Sequence, residues 1–160
     1  GFIALTVIYT GLNRPKMKDH ASSKHECEIE WHDFLATGVP EMDAEHRAFI
    51  MRVNELNLAV VKARDKTVVR QAMDRMLTEA ASHFRSEQDL LDKWEYPEAA
   101  AHALKHAELM AKFARTMTEF EIAEFSFVWA AKGLQLKQLL VEHLLKEDLQ
   151  YRSFLQSKIG

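Results

Sequence analysis

The sequence is poor in residues that interrupt regular structure. It contains only 5 glycines and 3 prolines among 160 residues, which argues against many short strands joined by tight turns. We therefore predict an all-α fold made of a few long helices. The single cysteine, Cys27, cannot form an internal disulfide, and this suits a reducing compartment such as the cytoplasm.

An excess of positive charge is also missing. The chain has 21 Lys and Arg against 24 Asp and Glu, a formal net charge of −3. No strong basic field is available to attract phosphate backbones, so we expect no nucleic-acid partner. With 48% apolar residues, the chain is long enough and apolar enough to bury one sizeable core, which excludes disorder for most of it.

The first twelve residues, GFIALTVIYTGL, are almost wholly apolar and are followed by Arg14, Lys16 and Lys18. They are too few to span a bilayer, which needs about 20 apolar residues. Two interpretations remain open. Residues 1–12 are the cytoplasmic half of a truncated membrane helix, with the basic residues on the inner side, or they are an apolar arm that packs on the domain or on a partner.

Residues 15–30 are polar and aperiodic, which is typical of a linker. We therefore divide the chain into an N-terminal segment and linker over 1–30 and a helical domain over 31–158. The linker carries a further group of polar side chains, which a solvated linker explains better than a transient metal or redox site. This group consists of His20, His25, Cys27, Glu28 and His32.

Four stretches after Trp31 show the period of amphipathic helices. Thr67 is the expected N-cap of the second helix, Pro97 is expected in the first turn of the third, and Gly133 indicates a bend or close packing in the fourth. Short connections imply antiparallel neighbours, hence an up-down-up-down four-helix bundle. The predicted helices cover residues 41–64, 67–94, 97–121 and 125–156.

Five of the eight histidines fall on these helices, and two of the acidic residues on the same helices, Glu87 and Asp148, are candidate ligands beside them. Residues four apart on a helix differ by only about 40° around its axis, so each such pair points to one side. The pairs His83 with Glu87 and His102 with His106 have this spacing. Leucines that flank the two pairs indicate that these faces look toward the core, namely Leu90 and Leu91 for the first pair and Leu104 and Leu109 for the second. His143 and Asp148 are about 140° apart on a straight helix, so longer reach or local distortion has to bring them together. His46 lies early in the first helix.

A single histidine on an apolar face is usually an ordinary hydrogen-bonded core residue. Seven unpaired polar groups inside a bundle would each cost on the order of 1 to 3 kcal/mol, so something has to satisfy them. A metal centre is the economical explanation. Imidazole suits Fe, Zn, Cu and Ni, and two carboxylates that can bridge neighbouring ions favour a dinuclear site over a single four-coordinate zinc.

These residues resemble those of the hemerythrin family, specifically its bacterial members. The resemblance covers about residues 30–155, includes all seven ligand positions in order, and extends to the five-residue spacing on the last helix. Each element alone is weak, whereas the ordered set is specific. The matching elements are Trp31, TGVPEMDAEH at 37–46, HFRSE at 83–87, WEYP at 94–97, HALKH at 102–106 and HLLKED at 143–148.

The resemblance implies a centre of two non-haem iron ions joined by an oxo or hydroxo bridge. One iron would be held by His102, His106 and His143 and the other by His46 and His83, with Glu87 and Asp148 bridging both. The second iron would keep one open position, where dioxygen would bind as ligand. The implied function is reversible dioxygen binding for storage, delivery or sensing, and the chain is not expected to be an enzyme.

The ligand types favour this function over oxygen activation. Ferritin-like di-iron proteins use a carboxylate-rich set, whereas this chain offers five histidines. Fewer anionic donors should stabilise the ferric state less, so bound dioxygen can leave again.

By similarity to the family, four apolar residues would line an oxygen pocket: Phe84, Leu139, Leu140 and Leu144. The same residues would serve an ordinary bundle core equally well. Many bacterial members carry Trp where this chain has Leu139, and the smaller side chain would open access to the site. Asp43 is expected to orient ligand imidazoles, although an acid also suits a helix N-terminus.

Two other classes of function stay open at this point. One is an enzyme that turns over peroxide or nitric oxide at the same centre. The other is a metal-binding regulatory bundle without redox chemistry. A membrane tether through residues 1–12 would favour sensing over storage, with a signalling or oxygen-consuming partner that the sequence does not identify.

Overall fold

The computed structural model describes residues 28–62 and 65–159. Over these residues it contains helices and no strand, which confirms the all-α prediction. The apolar segment 1–12 and the residues His20, His25 and Cys27 lie outside the described part. Four long helices are α1 (Pro40–Lys62), α2 (Lys66–Lys93), α3 (Ala99–Ile122) and α4 (Ser126–Lys146), followed by a short α5 (Arg152–Ile159).

The four long helices form an antiparallel bundle. α1 packs against α2 and α4, and α3 packs against the same two helices. The connections are short, so each helix runs back along its predecessor. The α1–α2 and α3–α4 connections therefore lie at one end of the bundle, which we call the distal end. The α2–α3 connection and the end of α4 lie at the other.

Two of the predicted helix starts were wrong. The N-cap of α2 is Asp65, whose carboxylate accepts a hydrogen bond of 2.8 Å from the Thr67 backbone N–H. The third helix begins at Ala99 with Glu98 as its N-cap, not at Pro97. The chain needs these extra residues to reverse direction, and Glu95 takes the left-handed conformation with φ 57° in that turn.

The predicted single helix over 125–156 was also wrong. α4 ends at Lys146, a 3-10 turn covers Asp148–Tyr151, and α5 follows. A continuous helix could not bury His143 and Asp148 together, since about 140° would separate them. The turn buries Asp148 and also Tyr151, which packs with Leu155 in a small core cluster at this end of the bundle. The local distortion that the spacing required is therefore present.

Gly133 lies where α4 approaches α1 closely, which agrees with close packing, one of the two roles predicted for this glycine. A Cβ atom at this position would lie 2.7 Å from Cγ2 of Val60, closer than two carbon atoms can pack. The main core surrounds this contact with fully buried side chains such as Leu56, Val69 and Leu136. The distal half of the bundle is therefore an apolar core.

Within the two described ranges, no helix combines the length and the apolar character needed to cross a membrane.

Leu109 is buried as its position beside the third-helix histidines predicts, whereas Leu104 is 67% exposed. Leu104 was therefore a wrong indicator of the core-facing side of α3, because it lies two residues from both His102 and His106 and so points away from them.

Candidate metal centre

Seven polar side chains meet inside the end of the bundle opposite the distal end. Their ligand atoms form two overlapping groups, and within each group all of these atoms lie within 4.8 Å of one another. Glu87 and Asp148 belong to both groups. The larger group adds His102, His106 and His143, and the smaller adds His46 and His83.

Every long helix contributes to this cluster. α1 provides His46, α2 provides His83 and Glu87, α3 provides His102 and His106, α4 provides His143, and the 3-10 turn provides Asp148. All seven side chains are buried, with exposures between 0% and 7%. The structure thus brings together the whole set of metal ligands predicted from the sequence.

Asp148 divides its two carboxylate oxygens between the two groups. Its Oδ1 lies 3.0 Å from Nε2 of His143 and 3.4 Å from Nε2 of His102. Its Oδ2 lies 3.8 Å from Nε2 of His46 and from Nε2 of His83. One oxygen therefore faces the three-histidine group and the other faces the two-histidine group.

Glu87 is divided in the same way. Its Oε2 lies 3.0 Å from Nε2 of His106, and its Oε1 lies 3.9 Å from Nε2 of His83. Two carboxylates with this arrangement can each bridge a pair of ions. Two donors at right angles on one ion, each about 2.1 Å from it, lie about 3.0 Å apart, which matches the shortest contacts in the cluster.

The hydrogen bonds of the cluster are incomplete without an ion. The Nε2 atoms of all five imidazoles are buried and have no hydrogen-bond partner, as do Oε2 of Glu87 and Oδ1 of Asp148. Buried polar atoms are nearly always paired, and leaving one unpaired costs about 1 to 3 kcal/mol. Because these atoms converge on two points, the residues present fit a dinuclear metal centre.

Burial keeps two of the imidazoles neutral. The pKa of His46 is lowered to about 4 by burial and by the neighbouring charge of His83. The pKa of His106 is lowered to about 3 by burial and by the charges of His102 and His143. A neutral imidazole has a free nitrogen lone pair, which is the form that binds a metal.

His83 differs from these two histidines. Burial alone would lower its pKa, but the carboxylates of Asp148 and Glu45 raise it to about 10. Burial and the charge of Asp148 raise the pKa of Glu87 well above its usual value. Asp148 is held well below its usual pKa, despite its burial, by the imidazoles of His102, His143 and His83.

Glu45 is a residue that the sequence analysis missed. Its Oε2 accepts a hydrogen bond of 3.0 Å from Nδ1 of His83 and another of 2.6 Å from the Ser86 hydroxyl. This contact leaves Nε2 of His83 facing the cluster and fixes the ring orientation. The position next to His46 could have suggested Glu45, but nothing in the sequence shows that it reaches across to α2.

Tyr151 was missed as well. It is fully buried, and its hydroxyl donates a hydrogen bond to Oε1 of Glu87. Its ring also meets the ring of His102 edge-on, with 5.5 Å between centroids. The 3-10 turn therefore supplies both Asp148 and a hydroxyl that holds Glu87. In the predicted continuous helix no signal marks this residue.

Asp43 is buried, and its hydrogen bonds run to the segment before α1. Its Oδ1 accepts from the backbone N–H of Thr37 at 2.6 Å and from the Thr37 hydroxyl at 2.8 Å, and its Oδ2 accepts from the Gly38 N–H at 3.2 Å. These contacts give it the role of an acid at a helix N-terminus. An influence on the ligand imidazoles stays a prediction.

Phe84 forms the apolar wall nearest to the cluster. Its ring stacks on His106 with 4.0 Å between centroids and meets the edge of His143 at 5.2 Å. Leu140 and Leu144 are buried in the main core, and Leu139 is partly buried against it. All four residues predicted to line an oxygen pocket thus belong to the core that adjoins the centre, and their role toward dioxygen stays a prediction.

Comparisons with known proteins agree with this arrangement. A bacteriohemerythrin of Stenotrophomonas maltophilia (strain R551-3) is 29% identical over 123 residues, which cover 77% of this chain and 78% of the relative. A bacteriohemerythrin of Pseudomonas aeruginosa (strain LESB58) is 24% identical over the same shares. The crystal structure of a hemerythrin point mutant shares the fold, with a TM-score of 0.67 and 23% identity over 79% of this chain and 96% of that chain.

A sequence profile described as the hemerythrin HHE cation binding domain matches residues 37–155. This range contains the complete cluster of histidines and carboxylates. Family membership and cluster together indicate a domain that binds non-haem iron. The chain belongs to the hemerythrin family of HHE cation-binding domains.

Proposed function

We propose that this chain binds dioxygen reversibly at a centre of two non-haem iron ions. The observation that carries the proposal is that Glu87 and Asp148 both lie between two groups of imidazoles. Each carboxylate directs one oxygen to the first group and its other oxygen to the second. A mononuclear site would have no use for this arrangement, because one ion would leave part of the cluster without a partner.

The two iron positions would have unequal sets of protein ligands. Three imidazoles and two carboxylates give five donors on one side, whereas two imidazoles and two carboxylates give four on the other. An oxo or hydroxo bridge would add one donor to each. The position held by His46 and His83 would then keep room for an external ligand, and we assign dioxygen to it.

When bound, a pair of ferrous ions supplies the two electrons that dioxygen takes up. The protein residues hold the site in place around this chemistry. Glu45 keeps Nδ1 of His83 engaged, so that Nε2 faces the centre, and Tyr151 holds Oε1 of Glu87. Phe84 covers His106 and His143 with an apolar ring, which excludes water and limits the proton supply that would make oxidation irreversible.

The composition of the ligand set favours a carrier or sensor over an enzyme. Five imidazoles, each of which binds a metal in its neutral form, and two carboxylates place less negative charge on the ions than a carboxylate-rich di-iron set does. The ferric state should therefore be less stabilised, and return of the electrons to the iron stays accessible. None of the buried groups that face the cluster is needed as a general acid or base for this exchange.

The test is anaerobic loading of the chain with ferrous iron, followed by exposure to oxygen and then to vacuum. We expect two irons per chain and a visible charge-transfer band that appears with oxygen and disappears under vacuum. His46→Leu should keep one iron and lose the reversible band, whereas Glu142→Ala, which changes an acid on the outer face of α4, should behave as the unmodified chain does.

The other functions give different results in the same experiment. A band that decays irreversibly while peroxide or nitric oxide is consumed would favour an enzyme. A purified chain that already carries zinc, or that keeps no iron after loading, would favour a regulatory bundle without redox chemistry. Either result would contradict the proposal.

A further inference from the structure

Residues 31–39, which we call the pre-α1 segment, connect two parts of the fold that meet at the smaller ligand group. The segment includes a short 3-10 helix, Asp33–Leu35. α1 provides His46 to the smaller group alone, whereas the 3-10 turn Asp148–Tyr151, which we call the ligand turn, provides Asp148 to both groups. Contacts that fix α1 against the ligand turn therefore act on the geometry of the smaller group.

On one side the pre-α1 segment is attached to α1 around His46. Asp43, three residues before His46, accepts hydrogen bonds from the backbone N–H and the hydroxyl of Thr37 at 2.6 and 2.8 Å. Arg47, the residue after His46, places its guanidinium carbon 4.4 Å from the ring centroid of Trp31. Thr37 is fully buried, so its contacts with Asp43 are shielded from water. The segment is thus fixed to the start of α1.

On the other side the pre-α1 segment is attached to the ligand turn. The guanidinium of Arg152, which directly follows this turn, donates a hydrogen bond of 2.9 Å to the backbone oxygen of Phe34. Val39 and Tyr151 are buried in the same small core cluster, and the Tyr151 hydroxyl holds Glu87. The hydrogen bond between Arg152 and Phe34 therefore joins the beginning of the domain to the residue next to the ligand turn.

The smaller group is the more dependent of the two on such positioning. Oδ2 of Asp148 lies 3.8 Å from the Nε2 atoms of His46 and His83, whereas Oδ1 lies 3.0 Å from Nε2 of His143. The smaller group also offers four protein donors, and the larger offers five. With fewer donors set wider apart, an ion at the smaller group gains more from contacts that hold its ligands in place.

We propose that Arg152 is a positioning residue for the smaller ligand group. Through the Phe34 carbonyl it holds the pre-α1 segment, and with it His46, at the separation from Asp148 that the second ion requires. This inference rests on the proposed dinuclear centre. The hydrogen bond is exposed, and a single exposed hydrogen bond adds little to global stability. Its effect should therefore appear mainly in the second step of metal binding.

The test is a calorimetric titration of the full metal-free chain with Co²⁺. The unmodified chain should bind two ions in two steps, the tighter one at the larger group. Arg152→Ala should weaken the second step about tenfold, as loss of an outer partner of a metal ligand does, and should change the first by less than about twofold. Arg152→Lys keeps a cationic donor at this position, so it should recover most of the lost affinity in the second step.

Lys158→Ala is the matched control, because it removes an exposed cation from the same short helix. The Lys158 ammonium lies over the ring of Phe154, 5.1 Å from its centroid, and its removal should change either step by less than about twofold. A merely structural role of Arg152 would weaken both steps of Arg152→Ala together, or would lower its unfolding midpoint with both steps unchanged. Either result would overturn the proposal.

Hydrogen exchange tests the same coupling in the unmodified chain, because coupling between two sites is reciprocal. The Leu35 amide, which donates to the His32 carbonyl at 2.8 Å, should exchange more slowly once the second ion binds. The Ala123 amide, which donates to the Phe120 carbonyl at 3.2 Å near the distal end, should not. No slowing at Leu35, or equal slowing at both amides, would overturn the proposal.

The two proposals fail in different ways in the cobalt titration. Binding of a single ion by the unmodified chain would contradict the dinuclear centre and this inference together. Binding of two ions, with Arg152→Ala indistinguishable from the unmodified chain, would contradict the positioning role alone.

Discussion

The two halves of the bundle are buried equally well but are stabilised in different ways. Around Gly133 the core is apolar, and its side chains satisfy one another by close packing. Around Asp148 the core holds seven polar side chains whose inward-facing atoms include seven without a hydrogen-bond partner. The first half needs nothing beyond the chain, whereas the second half needs ions to offset the cost of burying these groups.

The comparison is tested most strongly by removing a group that both metal positions share. Asp148→Ala should abolish binding at both positions, because the carboxylate contributes an oxygen to each. We expect metal content to fall from two ions per chain to none, measured by elemental analysis after loading and desalting. Glu142→Ala removes an acid from the outer face of α4 and should keep both ions. Retention of one tightly bound ion in Asp148→Ala would contradict the bridging role.

Metal removal should affect the two halves unequally. Metal at a thousand times its dissociation constant stabilises the folded state by about 4 kcal/mol. In hydrogen exchange, chelation should lower protection around His102 and His106 far more than around Phe113 and Phe120 of the same helix. Equal loss of protection along α3 would show that the bundle unfolds as one unit and that the halves do not differ.

The sequence predicted the fold and all seven proposed ligands, because both follow from helical period and residue type. It did not predict the end of α4 or the two residues that hold the ligands. The 3-10 turn forms because Asp148 and Tyr151 are buried together, and this burial depends on packing against distant residues such as Leu91. Glu45 contacts His83 across two helices, a relationship that no local pattern encodes.

The apolar half should respond to a single methyl group. Gly133→Ala would place a Cβ 2.7 Å from Cγ2 of Val60, and overpacking of this kind typically destabilises by about 1 to 3 kcal/mol. Denaturant unfolding of the metal-free protein measures the loss, and metal stoichiometry should stay at two. The double variant Val60→Ala/Gly133→Ala removes the clash, so it should be less destabilised than the sum of the two single variants.

The polar half should respond to a single hydroxyl. Tyr151→Phe keeps the ring but removes the hydrogen bond to Glu87, and loss of a hydrogen bond to a metal ligand typically lowers metal affinity 10- to 100-fold, or about 1.4 to 2.7 kcal/mol. Cobalt titration followed by visible spectroscopy should show the weakening. The control is Tyr96→Phe, which removes the hydroxyl of a ring that packs against Phe154 and Tyr151, with 5.0 and 6.2 Å between centroids. Equal affinities in the two variants would show that Tyr151 only fills space.

The two halves of the bundle should also differ in their response to pH. In the metal-free protein the pKa of His83 is raised to about 10 from an unfolded value of 6.5. His83 therefore stabilises the metal-free fold fully below about pH 6.5, and this contribution is lost as the pH rises through about 10.

A metal at Nε2 has to displace the His83 proton, so the apparent affinity of the protein for the metal should rise about tenfold per pH unit between 7 and 9. Calorimetric zinc titrations in buffers of different ionisation enthalpy would count the released proton. Glu45→Gln removes one of the carboxylates that raise the pKa of His83, so this variant should release fewer protons at pH 9 when it binds metal. The apolar half adds no pH dependence to stability or to metal binding, because its buried side chains do not titrate.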